Sequence, residues 1–240
     1  MASRYGRLDR LLSKQTGVSL RALKAVLAAG RVTVDDRVVR QPDCRVGPFN
    51  GVALDGEVIR EAETAWYLML NKPPGVVSAT RDSRHRTVID LLTQSPFAAA
   101  ADQVHIAGRL DATSTGLMLL TNDGVWSRAV CGANSQVTKT YRVDTAQPLK
   151  DSDVADFAGG MYFATEDVTL RPARLDISAP CAARVTLQEG RYHQIRRMFT
   201  RVDNRVTRLH REAIGPWTLP DSLAPGAFMA VPDPQQLPQG

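Results

Sequence analysis

An α+β fold in two domains is predicted for this 240-residue chain by three observations. The first 60 residues open with helical periodicity, in which Leu8, Leu11 and Leu12 are followed by Leu20, Leu23, Val26 and Leu27. After the short polar link Glu61-Ala62-Glu63-Thr64-Ala65, strand-like runs dominate without regular strand and helix alternation. That pattern argues for a mixed, largely antiparallel sheet. Charge is divided in the same place: residues 1–60 carry 11 Lys and Arg against 6 Asp and Glu, while residues 61–240 carry 19 against 19. All of the formal charge of +5 therefore sits in the first quarter, and domains over 1–60 and 61–240 follow.

In the first quarter, Ser19 starts the second helix and Gly30 stops it. Residues 31–35 alternate like a strand, Asp36-Arg37 turns the chain, and residues 52–59 read as another hairpin. Arg21 and Lys24, three apart, share one helix face, and Arg31 and Arg37 border it. A basic excess often serves only solubility. Its concentration on one element favours a polyanionic partner, and an oligomerisation module is the other reading of a basic two-helix unit.

Beyond the link, strands are expected at residues 66–70, 117–121, 140–144, 169–177 and 183–188, and helices at 88–93, 124–130, 150–158 and 194–203. Asp123 stands where an N-cap belongs. The Pro- and Gln-rich tail from Pro232 to Gly240 is expected to be loose.

Composition narrows the class. A hydrophobic content of 43% is ample for a buried core. No apolar stretch approaches a membrane helix, and Arg4, Arg7, Asp9 and Arg10 crowd the start where a secretory signal would be apolar. A cytoplasmic bacterial protein is expected, with no membrane partner. Cys44, Cys131 and Cys181 are odd in number and widely spaced, which fits reduced, mostly buried thiols. None of the four His pairs with Cys or acids at ligand spacing, so no metal is expected.

Three separated segments each carry one reactive side chain. Gly108-Arg109-Leu110-Asp111-Ala112-Thr113-Ser114-Thr115-Gly116-Leu117 holds one acid between an arginine and three hydroxyls, just before an apolar strand. Alone, such an Asp is most often a turn former. Lys139-Thr140-Tyr141-Arg142-Val143 follows, and then Glu189-Gly190-Arg191-Tyr192-His193-Gln194-Ile195-Arg196-Arg197-Met198-Phe199. Asp123 competes with Asp111 on proximity, but its place before a helix favours the cap. Between Arg191 and Arg211 there are seven arginines against one acid, Asp203, a density that reads as phosphate contact.

In that order the three segments resemble the pseudouridine synthases, and specifically the RsuA-like ribosomal small-subunit family that carries an S4 RNA-binding domain in front. The resemblance covers Gly6 to about Arg60, the entry strand Tyr67-Leu68-Met69-Leu70-Asn71-Lys72-Pro73-Pro74-Gly75, the three motifs, and Leu209-His210-Arg211-Glu212-Ala213-Ile214-Gly215-Pro216. Gly30-Arg31-Val32-Thr33-Val34 is similar to the S4 signature. It implies an S4-like domain over 1–60, meeting RNA through Arg21, Lys24 and Arg31, ahead of a catalytic domain over 61–240.

The implied activity isomerises uridine to pseudouridine: the bond between N1 and the ribose breaks, the base turns, and it rejoins through C5. No redox change or group donor is involved, so no cofactor is implied. Asp111 matches the family's catalytic carboxylate, acting as nucleophile at C1′ or as base at C2′ of the ribose. Tyr141 matches the aromatic that stacks on the extruded uracil and handles the C5 proton; by the residues alone it could equally be a half-buried strand residue. Arg196 matches the basic partner of the carboxylate, since a carboxylate in a site closed to water needs a nearby permanent cation. It falls off the apolar stripe of Ile195, Met198, Phe199 and Val202, from which it can still reach a cleft. Arg109 matches the residue that fills the gap left by a flipped base, and Arg191, His193, Arg197 and Arg211 read as RNA contacts. Thr113 departs from a pattern in which relatives often carry an acid.

Tyr192-His193-Gln194 is similar to the small-subunit branch, whereas large-subunit relatives read Asn-Arg-Gln or Asn-Arg-Glu. The implied target is a uridine of 16S ribosomal RNA, of the position-516 type, modified by a monomer acting on free RNA or a small-subunit assembly intermediate. The alternatives are a 23S target and a non-catalytic S4-bearing assembly factor. Retention of Asp111 with Tyr141 and Arg196 argues against the latter, because a pure binder gains nothing from a carboxylate facing phosphates.

Overall fold

The computed structural model describes residues 5–132, 135–164 and 166–232, and the expected loose tail lies outside the described residues after Pro232. The chain divides into two compact units, Met1–Ala65 and Trp66–Gly240. The polar link thus falls at the end of the first.

In the first unit β1 (Gly6–Arg7), α1 (Leu8–Thr16), α2 (Leu20–Ala28), β2 (Val32–Val34), β3 (Arg37–Val38), β4 (Arg45–Val46), β5 (Val52–Leu54) and β6 (Glu57–Arg60) follow in order. The helical periodicity has a direct product: Leu8 and Leu12 of α1 meet Leu23 and Leu27 of α2 in a core closed by Val32, Val34, Val46 and Val52. The Ser19 side chain caps α2 by accepting from the Ala22 N–H at 3.3 Å. The sheet runs β3-β2-β5-β6 and is antiparallel throughout.

The second unit contains β7 (Tyr67–Lys72), α3 (Val88–Leu92), β8 (His105–Ala107), β9 (Thr115–Thr121), α4 (Gly124–Cys131), β10 (Lys139–Thr145), α5 (Asp151–Gly159), β11 (Tyr162–Phe163), β12 (Val168–Thr169), β13 (Arg174–Ala179), β14 (Ala182–Leu187), α6 (Gln194–Arg201), β15 (Val206–Ile214), β16 (Trp217–Thr218) and β17 (Phe228–Ala230). Its main sheet runs β13-β14-β10-β15-β9-β7-β17, with β8 and β16 attached to β9 and β15. Every neighbouring pair is antiparallel except β9 and β15, which run parallel where His210 and Arg211 face Thr115 and Gly116. The sheet is therefore mixed and largely antiparallel.

The central strands are covered on both faces, as their unbroken apolar sequence requires. Leu68, Leu70, Met118 and Leu120 enter one core with Val143, Val185, Met198 and Phe199. Tyr67, Met69, Leu117 and Leu119 enter the other with Trp126, Ile214 and Trp217. Asp123 is the N-cap of α4, accepting from the Val125 and Trp126 N–H groups at 2.9 and 3.2 Å and from the Tyr67 hydroxyl at 3.1 Å. Among the described residues no helix is long and apolar enough to cross a membrane.

Three sequence expectations need correction. The single strand over 169–177 is two, because Pro172 has no N–H to give a ladder, and β12 pairs with β11 while β13 pairs with β14. The helix expected to run to 203 ends at Arg201, since Val202 leaves helical geometry and Asp203 is left-handed at φ 56°. The three cysteines are half-buried rather than mostly buried.

The strand that matters most for the site, β15, carries no strand signal in the sequence, because Arg208, His210, Arg211 and Glu212 hide its alternation. Its pairing with β10 carries a bulge: Thr140 faces Ala213 but Tyr141 faces Arg211, leaving Glu212 as the extra residue. Across the other edge, Gly116 sits at φ 104°, and a Cβ there would lie 2.3 Å from the Arg211 carbonyl oxygen. Only glycine lets β15 come this close to β9. Gly116→Ala should therefore cost at least about 3 kcal/mol in urea unfolding, from left-handed strain plus the clash. A variant within about 0.5 kcal/mol of wild type would show that the two strands part freely.

Candidate active site

The segment from Gly108 to Leu117 wraps the mouth of a cleft of about 690 Å³, and its backbone is held at nearly every carbonyl. Ser78 receives the Leu110 N–H at 3.0 Å and donates its hydroxyl to the Leu110 carbonyl at 2.5 Å. The Asp111 carbonyl accepts from the Ser114 N–H at 3.1 Å, closing a turn, and the Ala112 carbonyl accepts from the Gly75 N–H at 2.8 Å.

Two fully buried cations complete this frame. Lys72, at the end of β7, donates from Nζ to the carbonyls of Pro73 at 2.9 Å, Ala112 at 3.2 Å and Ser114 at 2.8 Å. Arg211 comes from the opposite side, donating to the carbonyls of Leu117 at 2.7 Å, Gly108 at 3.1 Å and Arg109 at 3.3 Å. Burial pushes the Lys72 ammonium down to about 8; Asp111 pulls it up and Arg211 adds a smaller push down. At neutral pH it still carries its proton.

This frame aims the Asp111 carboxylate into the cleft, where the side chain keeps 31% of its exposure. His193 Nε2 lies 3.1 Å from Oδ1 and Arg196 Nε lies 3.5 Å from Oδ2. The apolar stripe of α6, Ile195, Met198 and Phe199, is buried in the core, which leaves Arg196 on the flank facing the cleft. Arg196 is braced by donating to the Val206 carbonyl and the Thr113 hydroxyl, each at 3.2 Å. Thr113, the departure from the family pattern, thus supports the cation. His193 precedes α6 in a left-handed conformation, φ 49°, which turns its ring back toward Asp111.

Tyr141 lines the same cleft from β10, buried to 7% exposure. Its hydroxyl accepts from Arg211 at 3.4 Å, and the guanidinium carbon lies 5.9 Å from its ring centre. Arg109 is exposed at the rim, and so is Arg191, 3.4 Å from Glu189. Lys139 is buried in the wall, with Nζ on the carbonyls of Val137 and Gln188 at 3.0 and 3.3 Å, and burial lowers its pKa.

Two of the arginines expected on RNA are occupied elsewhere. Arg211 is buried because its bulged register turns it inward beside Tyr141 and Leu209, so it is a brace under the site rather than a phosphate contact. Arg197 leaves the cleft, pairing with Glu166 at 2.8 Å and lying 4.3 Å over the Phe163 ring. In the first unit Arg21 and Lys24 are exposed on α2, while Arg31 is held in a two-point pair with Asp55 at 2.5 and 2.7 Å. Sequence reasoning did not single out Lys72 or Ser78, and it cast His193 only as an RNA contact. The available signal for Lys72 was a lone charge ending a strand whose first four residues are apolar or aromatic. Among the described residues no group of three His, Cys, Asp or Glu side chains could hold a metal ion.

A family model for RNA pseudouridylate synthase matches residues 66–201, the span that holds all three motifs. The chain belongs to this family. It is 46% identical over 222 residues to ribosomal small subunit pseudouridine synthase A of Pseudomonas aeruginosa, covering 92% of this chain and 95% of that one. The enzymes of the same name from Yersinia pestis and Escherichia coli are 43% and 40% identical over the same share of this chain, covering 93% and 94% of their own. A solved structure described as a pseudouridylate synthase superposes with a TM-score of 0.66 at 31% identity, covering 94% of this chain and 96% of that one. The pseudouridine synthase fold and its chemistry therefore apply to the second unit.

Lys72 makes a test of the frame that does not depend on turnover. Its pKa is about 8 folded and near 10.5 in the unfolded chain, so between those values the unfolded state binds more protons and stability rises with pH. This group should contribute a gain of about 3 kcal/mol across that window. Lys72→Met should lack the gain, and should be about 3 kcal/mol less stable at pH 7 because the Pro73 and Ser114 carbonyls lose the ammonium donor and the Ala112 carbonyl keeps only the Gly75 N–H. Parallel urea curves from pH 7 to 10.5 for both proteins measure the difference, and identical pH profiles would exclude the buried ammonium.

Proposed function

We propose that this pseudouridine synthase isomerises a uridine of 16S ribosomal RNA, of the position-516 type, using Asp111, Tyr141 and Arg196. The observation that carries the reading is the Asp111 carboxylate, supported by Arg196 and His193 at the mouth of a cleft walled by Tyr141. Chemistry on a base inside RNA requires the nucleotide to be extruded. The cleft volume suits a flipped nucleotide, and Arg109 on the rim is positioned to occupy the gap it leaves. Asp111 then acts on the ribose so that the N1 bond breaks. The freed uracil turns against the Tyr141 ring, C5 bonds to C1′, the C5 proton leaves, and N1 acquires one. Arg196, 3.5 Å from Oδ2, aims the carboxylate and balances its charge as the bound nucleotide displaces water.

The small-subunit target is supported by the relatives of that name at 40–46% identity over nearly their whole length. The first unit, read as S4-like, adds RNA affinity through Arg21, Lys24 and the exposed Arg37; Arg31 contributes less, since Asp55 neutralises it. Arg191 serves the rim of the cleft.

Mapping pseudouridine in ribosomal RNA tests both target and residue. A strain lacking the protein should lose one small-subunit pseudouridine, and a wild-type copy should restore it. Asp111→Asn should not restore it, while binding RNA as tightly as wild type or more so, because a negative charge beside phosphates is gone. Turnover by the Asn variant would exclude Asp111 as the catalytic carboxylate, and loss of a large-subunit site instead would move the target.

Residues 66–240 should fold alone, because the apolar residues of the two units form separate clusters. The truncated protein should bind RNA more weakly and with a shallower salt dependence, about 0.9 unit of slope lost per phosphate contact. It should keep some turnover at high RNA concentration. A slope equal to that of the whole chain would exclude the first unit as an RNA clamp.

A further inference from the structure

The proposed mechanism leaves one prominent side chain on the cleft unused. Tyr192 lines the mouth and is 75% exposed, more than any other large apolar or aromatic residue among those described as exposed. Isolated exposed aromatics are ordinary on protein surfaces. Tyr192 differs in being held: its ring stacks on the His193 imidazole with centres 3.9 Å apart and planes 16° from parallel. His193 is in turn fixed by its left-handed backbone and by the Asp111 carboxylate at 3.1 Å. The Tyr192 carbonyl also receives Arg197 at 3.5 Å. One face of the phenol ring is therefore covered and tied to the catalytic carboxylate, and the other is open, beside the exposed Arg191.

From this arrangement we infer that Tyr192 is a stacking platform for an unpaired base next to the target uridine, with Arg191 against the adjoining phosphate. The inference rests on the RNA substrate proposed above and adds a second nucleotide subsite to it. The target base enters the cleft toward Tyr141 and Asp111, so the base at the rim is a neighbour. Extruding the target leaves that neighbour unstacked on one side, and an open aromatic face replaces the lost contact. A platform already ordered by His193 loses little side-chain freedom on binding.

Equilibrium binding with the full chain tests this, using a small-subunit hairpin RNA that carries the target uridine. Tyr192→Ala should bind about 5- to 150-fold more weakly, with an unchanged salt slope, because stacking releases no counterions. Tyr192→Phe should bind like wild type, since the ring and not the hydroxyl makes the contact. In two further RNAs, 5-iodouridine replaces the nucleotide on the 5′ or the 3′ side of the target. Irradiation should cross-link one of them to residue 192 in wild type and in Tyr192→Phe. Affinity of Tyr192→Ala within twofold of wild type, a Phe variant as weak as the Ala variant, or no cross-link at residue 192 from either RNA would overturn the platform. Wild-type protein that binds the hairpin without isomerising it would instead overturn the target assigned above, and the binding and cross-linking results would still decide the platform.

Discussion

Two cations buried beneath the acidic loop, Lys72 and Arg211, are the constraint on which the rest of the site depends. Between them they donate to six backbone carbonyls, those of Pro73, Gly108, Arg109, Ala112, Ser114 and Leu117. Taking a charge out of water costs several kcal/mol unless hydrogen bonds replace its hydration. Here the carbonyls of Gly108, Arg109, Ala112 and Ser114 in a non-repetitive loop, with those of Pro73 and Leu117 beside it, supply those bonds, and loop acceptors outside any ladder are satisfied in turn. Each side is costly alone, so the two are bound to fold together. The result is a carboxylate held in one direction by a rigid backbone.

The same economy explains the close packing around β15. Arg211 reaches the loop only because the bulge at Glu212 turns it inward opposite Tyr141, and because Gly116 lets its backbone pass. Gly108, also left-handed at φ 86°, has Cys131 Sγ where a Cβ would stand, at 2.8 Å. Two glycines, a bulge and a buried arginine are thus one device. A change in any of them would be felt at Asp111 although none of them faces the cleft as a reactive group.

Electrostatics follow from that frame. Asp111 shares the cleft with Lys139, Arg109, Arg196 and Arg211 and interacts with Lys72 beneath the loop, with Glu189 engaged by Gln194 and Arg191. A cleft with this balance attracts a polyanion while presenting one carboxylate to it. Two arginines outside the cleft serve the fold: Arg197 and Glu166 tie α6 to the segment between β11 and β12, and Arg31 is paired with Asp55. Arginine density on its own therefore overstates the number of phosphate contacts.

Much of this was legible in the residues themselves. Period-3.6 leucines place α1 and α2, a run of apolar residues places β7 and β9, and Asp123 is recognisable as a cap, because each depends on neighbours a few positions away. Asp111, Tyr141 and Arg196 were reached as a set through the order of their motifs. The sequence alone also determined that α6 would bury Ile195, Met198 and Phe199 and leave Arg196 on a flank. Only the tertiary structure decided which arginine faces the cleft and which lies under it, that Lys72 is a brace and not a surface charge, and that His193 turns onto Asp111 with Tyr192 stacked behind it. Those outcomes depend on a bulge register, a parallel strand contact and a left-handed residue, which join segments up to 103 positions apart. Local patterns carry no record of such pairings, because the same charged side chain is stable at the surface or buried according to which carbonyls the fold brings within reach.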